Sequence, residues 1–118
     1  MKNDIDMLQS SIFMDDGDEK YLESLAPKIV DVSKMRRLFC DFESQNKKSA
    51  KQLCLALQRL GFDSSVYDFE NRMVESSKLV NYTNSKYALN LAMYEAWKHN
   101  SELTTLMLEQ DKCSEITQ

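Results

Sequence analysis

The residues that could do chemistry in this chain are few and widely spaced. Asp15, Asp16, Asp18 and Glu19 crowd around Gly17. Such a run invites a calcium reading, but an EF-hand loop needs alternating oxygen ligands at fixed positions and a closing glutamate, which are absent here. The run predicts an acidic turn in which Asp18 caps a helix over 19–25, with acids at the positive end of the helix dipole. Pro27 then ends that segment. Cys40, Cys54 and Cys113 are odd in number and include no C-x-x-C pair. Cys40 and Cys54 fall on apolar faces, where a thiol packs as a small hydrophobe. His99 is the only histidine. It sits in the last turn of an expected helix with no partner constellation, so it complements the helix C-terminus rather than moving protons. No serine stands in a Gly-x-Ser-x-Gly elbow, and two glycines cannot build a phosphate-cradling loop. The sequence therefore predicts a protein that is not an enzyme and needs no metal or cofactor.

Charge is more informative than motif. The net charge of −4 hides a strong partition. Residues 1–24 hold seven acids and two bases, 25–60 three acids and eight bases, and 61–118 nine acids and five bases. An acidic head and a basic middle can neutralise each other within the fold or equally present two electrostatically distinct surfaces to partners. Arg36 and Arg37 are adjacent on an expected strand and so point to opposite faces; both are read as solvated. Lys47, Lys48 and Lys51 cluster at the start of an expected helix, on a solvated face. The N-terminus lacks a signal pattern, and no apolar run approaches the ~20 residues that span a bilayer. A cytoplasmic protein without membrane contact is expected.

The elements that position these residues are legible. The 118 residues suit a single domain, divided into an N-terminal helical segment and linker (1–33), an α+β core (34–110) and a loose tail (111–118). Ile5, Leu8 and Ile12 suggest a short amphipathic helix over 4–14. Leu38, Cys40 and Phe42 alternate with Arg37, Phe39 and Asp41, which predicts a strand whose second face is only partly covered. Ala50, Leu53, Cys54 and Leu57 repeat at helical spacing over 46–60, with Ser44 or Asn46 as cap and Gly61 as the left-handed terminator. Strands are expected over 62–70 and 72–80, joined tightly at 70–71, with Ser76, Ser77 and Lys78 at an edge or facing solvent. A loop over 81–85 should lead into a helix over 85–99, with Ala88, Leu91 and Ala92 as its core stripe and Trp97 anchored in the core or at its margin. Residues 102–109 alternate as a fourth strand, though the segment could also continue the helix.

The order strand, helix, strand, strand, helix, strand predicts a ferredoxin-like α+β sandwich: a four-stranded antiparallel sheet, two helices on one face, and an extra N-terminal helix. The other sheet face is the natural place for a partner or for the extra helix.

Asp16-Gly17-Asp18 after a short helix, the strand Leu38-Phe39-Cys40-Asp41-Phe42, Ser49-Ala50 opening a helix that ends Leu60-Gly61-Phe62, and Ala96-Trp97-Lys98-His99 stand in one order along the chain. Together these segments resemble the regulator of ribonuclease activity B (RraB) family, inhibitors of ribonuclease E. The resemblance covers about 15–108. It departs after the last helix, where Glu102-Leu103-Thr104-Thr105 stands in place of the family's Tyr-Asp-Gly-Trp-like run. It implies a small non-catalytic protein whose partner is a ribonuclease. A nuclease toxin met by an immunity protein belongs to the same reading. Asp15, Asp16, Asp18 and Glu19 are the expected contacts to such a basic target. The other expectation is an RNA-binding module of the same topology, with Phe39 and Tyr67 stacking bases; the missing Arg/Lys-Gly-Phe/Tyr motif and the sequence pI near 5.0 speak against it. The sequence leaves the oligomeric state open.

Overall fold

The computed structural model describes residues 16–67, 70 and 72–110. The expected helix over 4–14, Asp15, Cys113 and the tail lie outside the described residues. Helix α1 spans Asp16–Ser24, followed by a 3-10 turn at Ala26–Lys28 that carries Pro27. Strand β1 (Met35–Ser44), helix α2 (Lys47–Arg59), strands β2 (Asp63–Tyr67) and β3 (Met73–Asn81), helix α3 (Tyr82–Lys98) and strand β4 (Ser101–Leu108) complete the order. The strands form one antiparallel sheet in the order β2-β3-β1-β4, with the helices packed against it.

Alternation decides what each strand buries. On β1, Leu38, Cys40 and Phe42 are fully buried, while Phe39 and Asp41 on the opposite face are half-buried. The inward set meets Val74 and Val80 of β3, Leu103, Leu106 and Leu108 of β4, and the stripes of α2 (Ala50, Leu53, Cys54, Leu57) and α3 (Ala88, Leu89, Ala92, Ala96). Strict alternation along β4 would separate Leu103 from Leu106 and Leu108. A bulge at Thr104 removes the conflict: Asp41 pairs with Thr105 but Phe42 with Leu103. The extra residue returns all three leucines to the core, and the Thr104 hydroxyl donates to the Asp41 carbonyl at 3.2 Å.

Helix α2 has both of its expected ends. The Asn46 side chain accepts from the Ser49 amide at 2.8 Å. At the other end Gly61 adopts φ +93°, and the Gly61 and Phe62 amides return to the carbonyls of Gln58 and Leu57, each at 3.0 Å. This is a Schellman closure, and it places Phe62 and Leu57 together in the core. Lys78 adds a third contact, donating to the Leu60 carbonyl at 2.7 Å. A side chain at position 61 would meet the end of Lys78 at 3.4 Å and be held in the left-handed region. Gly61→Ala is expected to cost about 1–2 kcal/mol, a fall in Tm of roughly 4 °C per kcal/mol, read by thermal denaturation.

Several local expectations are corrected. Helix α1 already includes Asp16, so Asp18 lies inside the helix instead of capping it. Arg36 is 1 % exposed, because the even-numbered face of β1 is the covered one; one guanidinium nitrogen is 3.4 Å from the Glu109 carbonyl. Ser76 is buried and Lys78 half-buried, since β3 is a central strand and not an edge. Among the described residues strand β2 covers Asp63–Tyr67, one residue later in its start than expected; 68 and 69 lie outside the described residues. No loop separates β3 from α3: Asn81 ends the strand in extended geometry, and its side chain accepts from the Asn84 amide at 2.9 Å, so one residue serves as strand end and cap. The helix therefore begins at Tyr82. Ser85 is turned into the core with its hydroxyl on the Tyr82 carbonyl, and Leu89 takes the buried position expected of Leu91. Trp97 is 66 % exposed near the C-terminal end of α3, stacked on Tyr94 at 6.2 Å. His99 is the C-cap of α3, with its ring 3.7 Å from the Glu95 carboxylate.

Candidate functional site: the open face of the sheet

Helix α1 packs beside α3 and β4. The Tyr82 hydroxyl donates to the Leu22 carbonyl at 2.7 Å, and the Leu108 amide donates to the Tyr21 hydroxyl at 3.2 Å. The described helices thus share the side of the sheet that holds the core, and among the described residues no helix or strand lies over the opposite face. Register sets their arrangement. Across β3 and β1, Leu79 opposes Arg37, Ser77 opposes Phe39, Glu75 opposes Asp41, and Met73 opposes Glu43. On β4, Met107 lies beside Phe39, Thr105 beside Asp41, and Glu102 beside Glu43. On β2, Asp63, Ser65 and Tyr67 face the same way.

One end of this face is apolar. Met35, Leu79 and Met107 are each about half-exposed around Phe39. Arg37 also stands there, but its guanidinium turns toward β2, donating to Ser77 at 2.9 Å and to Asp63 at 3.1 Å. The other end is acidic, with Asp41, Glu75, Glu43 and Glu102. Arg72, at its margin, pairs with Glu43 at 2.6 Å and with Glu70 at 3.2 Å. Between the two ends lies a depression of about 780 Å3, bordered by Phe39, Asp41, Asp63, Glu75, Thr105 and Met107 among others.

Asp41 and Glu75 are opposed like charges, an unfavourable cross-strand pairing. Burial raises the Asp41 carboxyl above its usual value of 3.8, the backbone hydrogen bond from Ser76 lowers it, and the Glu75 charge raises it again. With the folded value raised, the native state holds more protons than the unfolded chain between 3.8 and that raised value, so stability falls as pH rises through this window. Asp41→Asn is expected to be more stable than the parent at neutral pH, with the difference closing below pH 3.8. Urea denaturation at a series of pH values measures it.

The acids singled out from sequence are placed apart. Asp16 is exposed at the start of α1, and Glu19 is held by Lys86 of α3 at 2.5 Å. That contact also raises the Lys86 ammonium pKa. Asp18 borders a separate hollow with Met93, Ala96, Trp97 and Leu103. Asp15 lies outside the described residues. Asp16, Asp18 and Glu19 stand in the first turn of α1 and not on the open sheet face, where Asp41, Glu43, Glu75 and Glu102 converge. The latter four are scattered through the sequence, and only the alternation of β1 hinted at any of them.

Cys40 has no exposed surface, and its sulfur is 3.3 Å from the Ser76 hydroxyl. Burial pushes its thiol pKa up to about 12, which makes it inert. Cys40 is expected to react with a disulfide reagent only as fast as the domain opens, while the same residue in denaturant reacts at once; peptide mapping identifies the labelled cysteine. Among the described residues no group of three or more His, Cys, Asp or Glu side chains is placed to hold a metal ion, and no helix is long and apolar enough to cross a membrane. No protein-family model matches the chain, and no curated protein matches it.

Proposed function

We propose that this chain is a small, non-catalytic, cytoplasmic protein that binds and regulates another enzyme, with the open sheet face as its contact surface. The observation that carries this reading is the convergence of Asp41, Glu43, Glu75 and Glu102 from three strands onto the sheet face that no described helix covers. A target with a basic surface, as an enzyme needs to hold RNA, is complementary to it, and the charge speeds encounter. The strand order and the two helical crossovers support reading the architecture as a ferredoxin-like sandwich. That fold is shared by many functions, so the charge of the face supplies the argument. The resemblance to the RraB family favours a ribonuclease as target, and a nuclease toxin fits the same chemistry.

RNA itself is the competing ligand, since Phe39 and Tyr67 share the open face. The carboxylates around them repel phosphate. One experiment separates the two: titrate the protein into an RNA-cleavage reaction run by ribonuclease E or by a nuclease toxin domain, and titrate labelled single-stranded RNA alone in parallel. Inhibition without RNA binding supports the regulator. RNA binding without an enzyme present overturns it.

A further inference from the structure

We infer that the open sheet face docks a single amphipathic helix of the partner protein, an apolar turn of it seated on Phe39, Leu79 and Met107 and a basic turn on Asp41 and Glu75. The inference rests on the open face being the contact surface and names what occupies it.

The backbone of the sheet argues for a helix. Every strand is already paired in the ladder, so an occupant of the face meets side chains only. An extended segment lying there would leave its own amides and carbonyls without protein partners. A helix satisfies them internally, and the opposite face of the same sheet is covered by helices. The chemistry of the face argues for the pattern. Phe39 and Asp41 are two residues apart on β1, about 7 Å along the strand, between one and two turns of a helix lying parallel to it. Apolar and acidic ends therefore follow one another along the helix axis. A basic side chain reaching the depression meets Asp41 and Glu75 together, relieves their mutual repulsion, and lies beside the Phe39 ring. A second copy of this chain is a poorer occupant, because it brings the same carboxylates with it.

The probe is a synthetic peptide of about 18 residues, ~27 Å long as a helix, with leucines on one face of its first half and arginines on the same face of its second. Its control is an oligo-arginine peptide of equal charge without leucine. Expected are saturable binding, gain of helical circular dichroism in the peptide, and NMR shift changes at Phe39, Asp41, Glu75 and Met107. Replacing Asp41→Asn with Glu75→Gln, or Leu79→Ala with Met107→Ala, should weaken binding about tenfold each. Equal binding of the oligo-arginine control would overturn the inference by showing diffuse attraction alone. So would shifts confined to α1, α2 and α3, binding without gain of helix, no binding, or sedimentation as a dimer through the same face. If a nuclease is inhibited through Asp41 and Glu75 while the peptide fails, the proposed function stands and the helical occupant falls. If both fail, the open face is not the contact surface.

Discussion

Lysine at both Asp41 and Glu75 is expected to weaken binding of a basic partner roughly 100-fold, about 2.8 kcal/mol. The two carboxylates oppose each other on neighbouring central strands, so reversal of both removes two attractions and adds two repulsions at one point. The loss should shrink as salt rises, because part of it is long-range steering. The fold should tolerate the change. Both side chains leave the open face, and a pair of like charges is exchanged for another pair of like charges. Matched urea denaturation curves for parent and variant would establish that the effect belongs to binding. Lysine at Asp16 and Asp18 is the informative comparison. These two acids lie on α1, away from the sheet face, and are expected to change affinity much less. If the α1 variant is the one that abolishes binding, the contact surface lies along α1.

Phe42→Ala is expected to destabilise the domain by about 3–5 kcal/mol. Phe42 is completely buried, paired with Val74 on one side and Leu103 on the other, at the end of β1 nearest the bulge. The cavity would open where three strands meet, and the paired central strands leave little freedom to collapse into it. Against a total of about 5–15 kcal/mol for a domain of this kind, the variant should be partly unfolded near 37 °C. Chemical denaturation measures this. A cost below 1 kcal/mol would mean that the β4 leucines repack into the gap.

The sequence by itself determined the types and order of the elements from β1 to α3, because each reports through local physics; it left 102–109 open between strand and helix, which the pairing of β4 with β1 decides. The two-residue period of Leu38, Cys40 and Phe42 can bury one face only as a strand, and Ala50, Leu53, Cys54 and Leu57 share a face only on a helix. Gly61 and Asn46 announce the ends of α2 because their backbone and side-chain preferences are local. The errors arose where one residue type suits two settings. Asn81, Thr83, Asn84 and Ser85 have the composition of a loop, yet they make a strand end, a cap and the first turn of a helix, since a polar side chain satisfies a helix start as readily as it solvates a turn. Arg36 is buried and Trp97 exposed because burial depends on which faces meet, whereas composition suggests only that an arginine stays wet and a tryptophan dry.

Tertiary structure alone decided the register, and with it the candidate site. Asp41, Glu75 and Glu102 are separated by dozens of residues, and no periodicity links them. They share a surface because β1 pairs with both β3 and β4 and because the Thr104 bulge shifts β4 by one residue. Among the acids that are neighbours in sequence, the turn of α1 sets Asp18 on another side of the helix from Asp16 and Glu19, and Lys86 holds Glu19. Adjacency along a helix spreads side chains around an axis, whereas pairing across a sheet aligns them on one face, so charge that looked concentrated in the sequence is diluted and charge that looked dilute is concentrated.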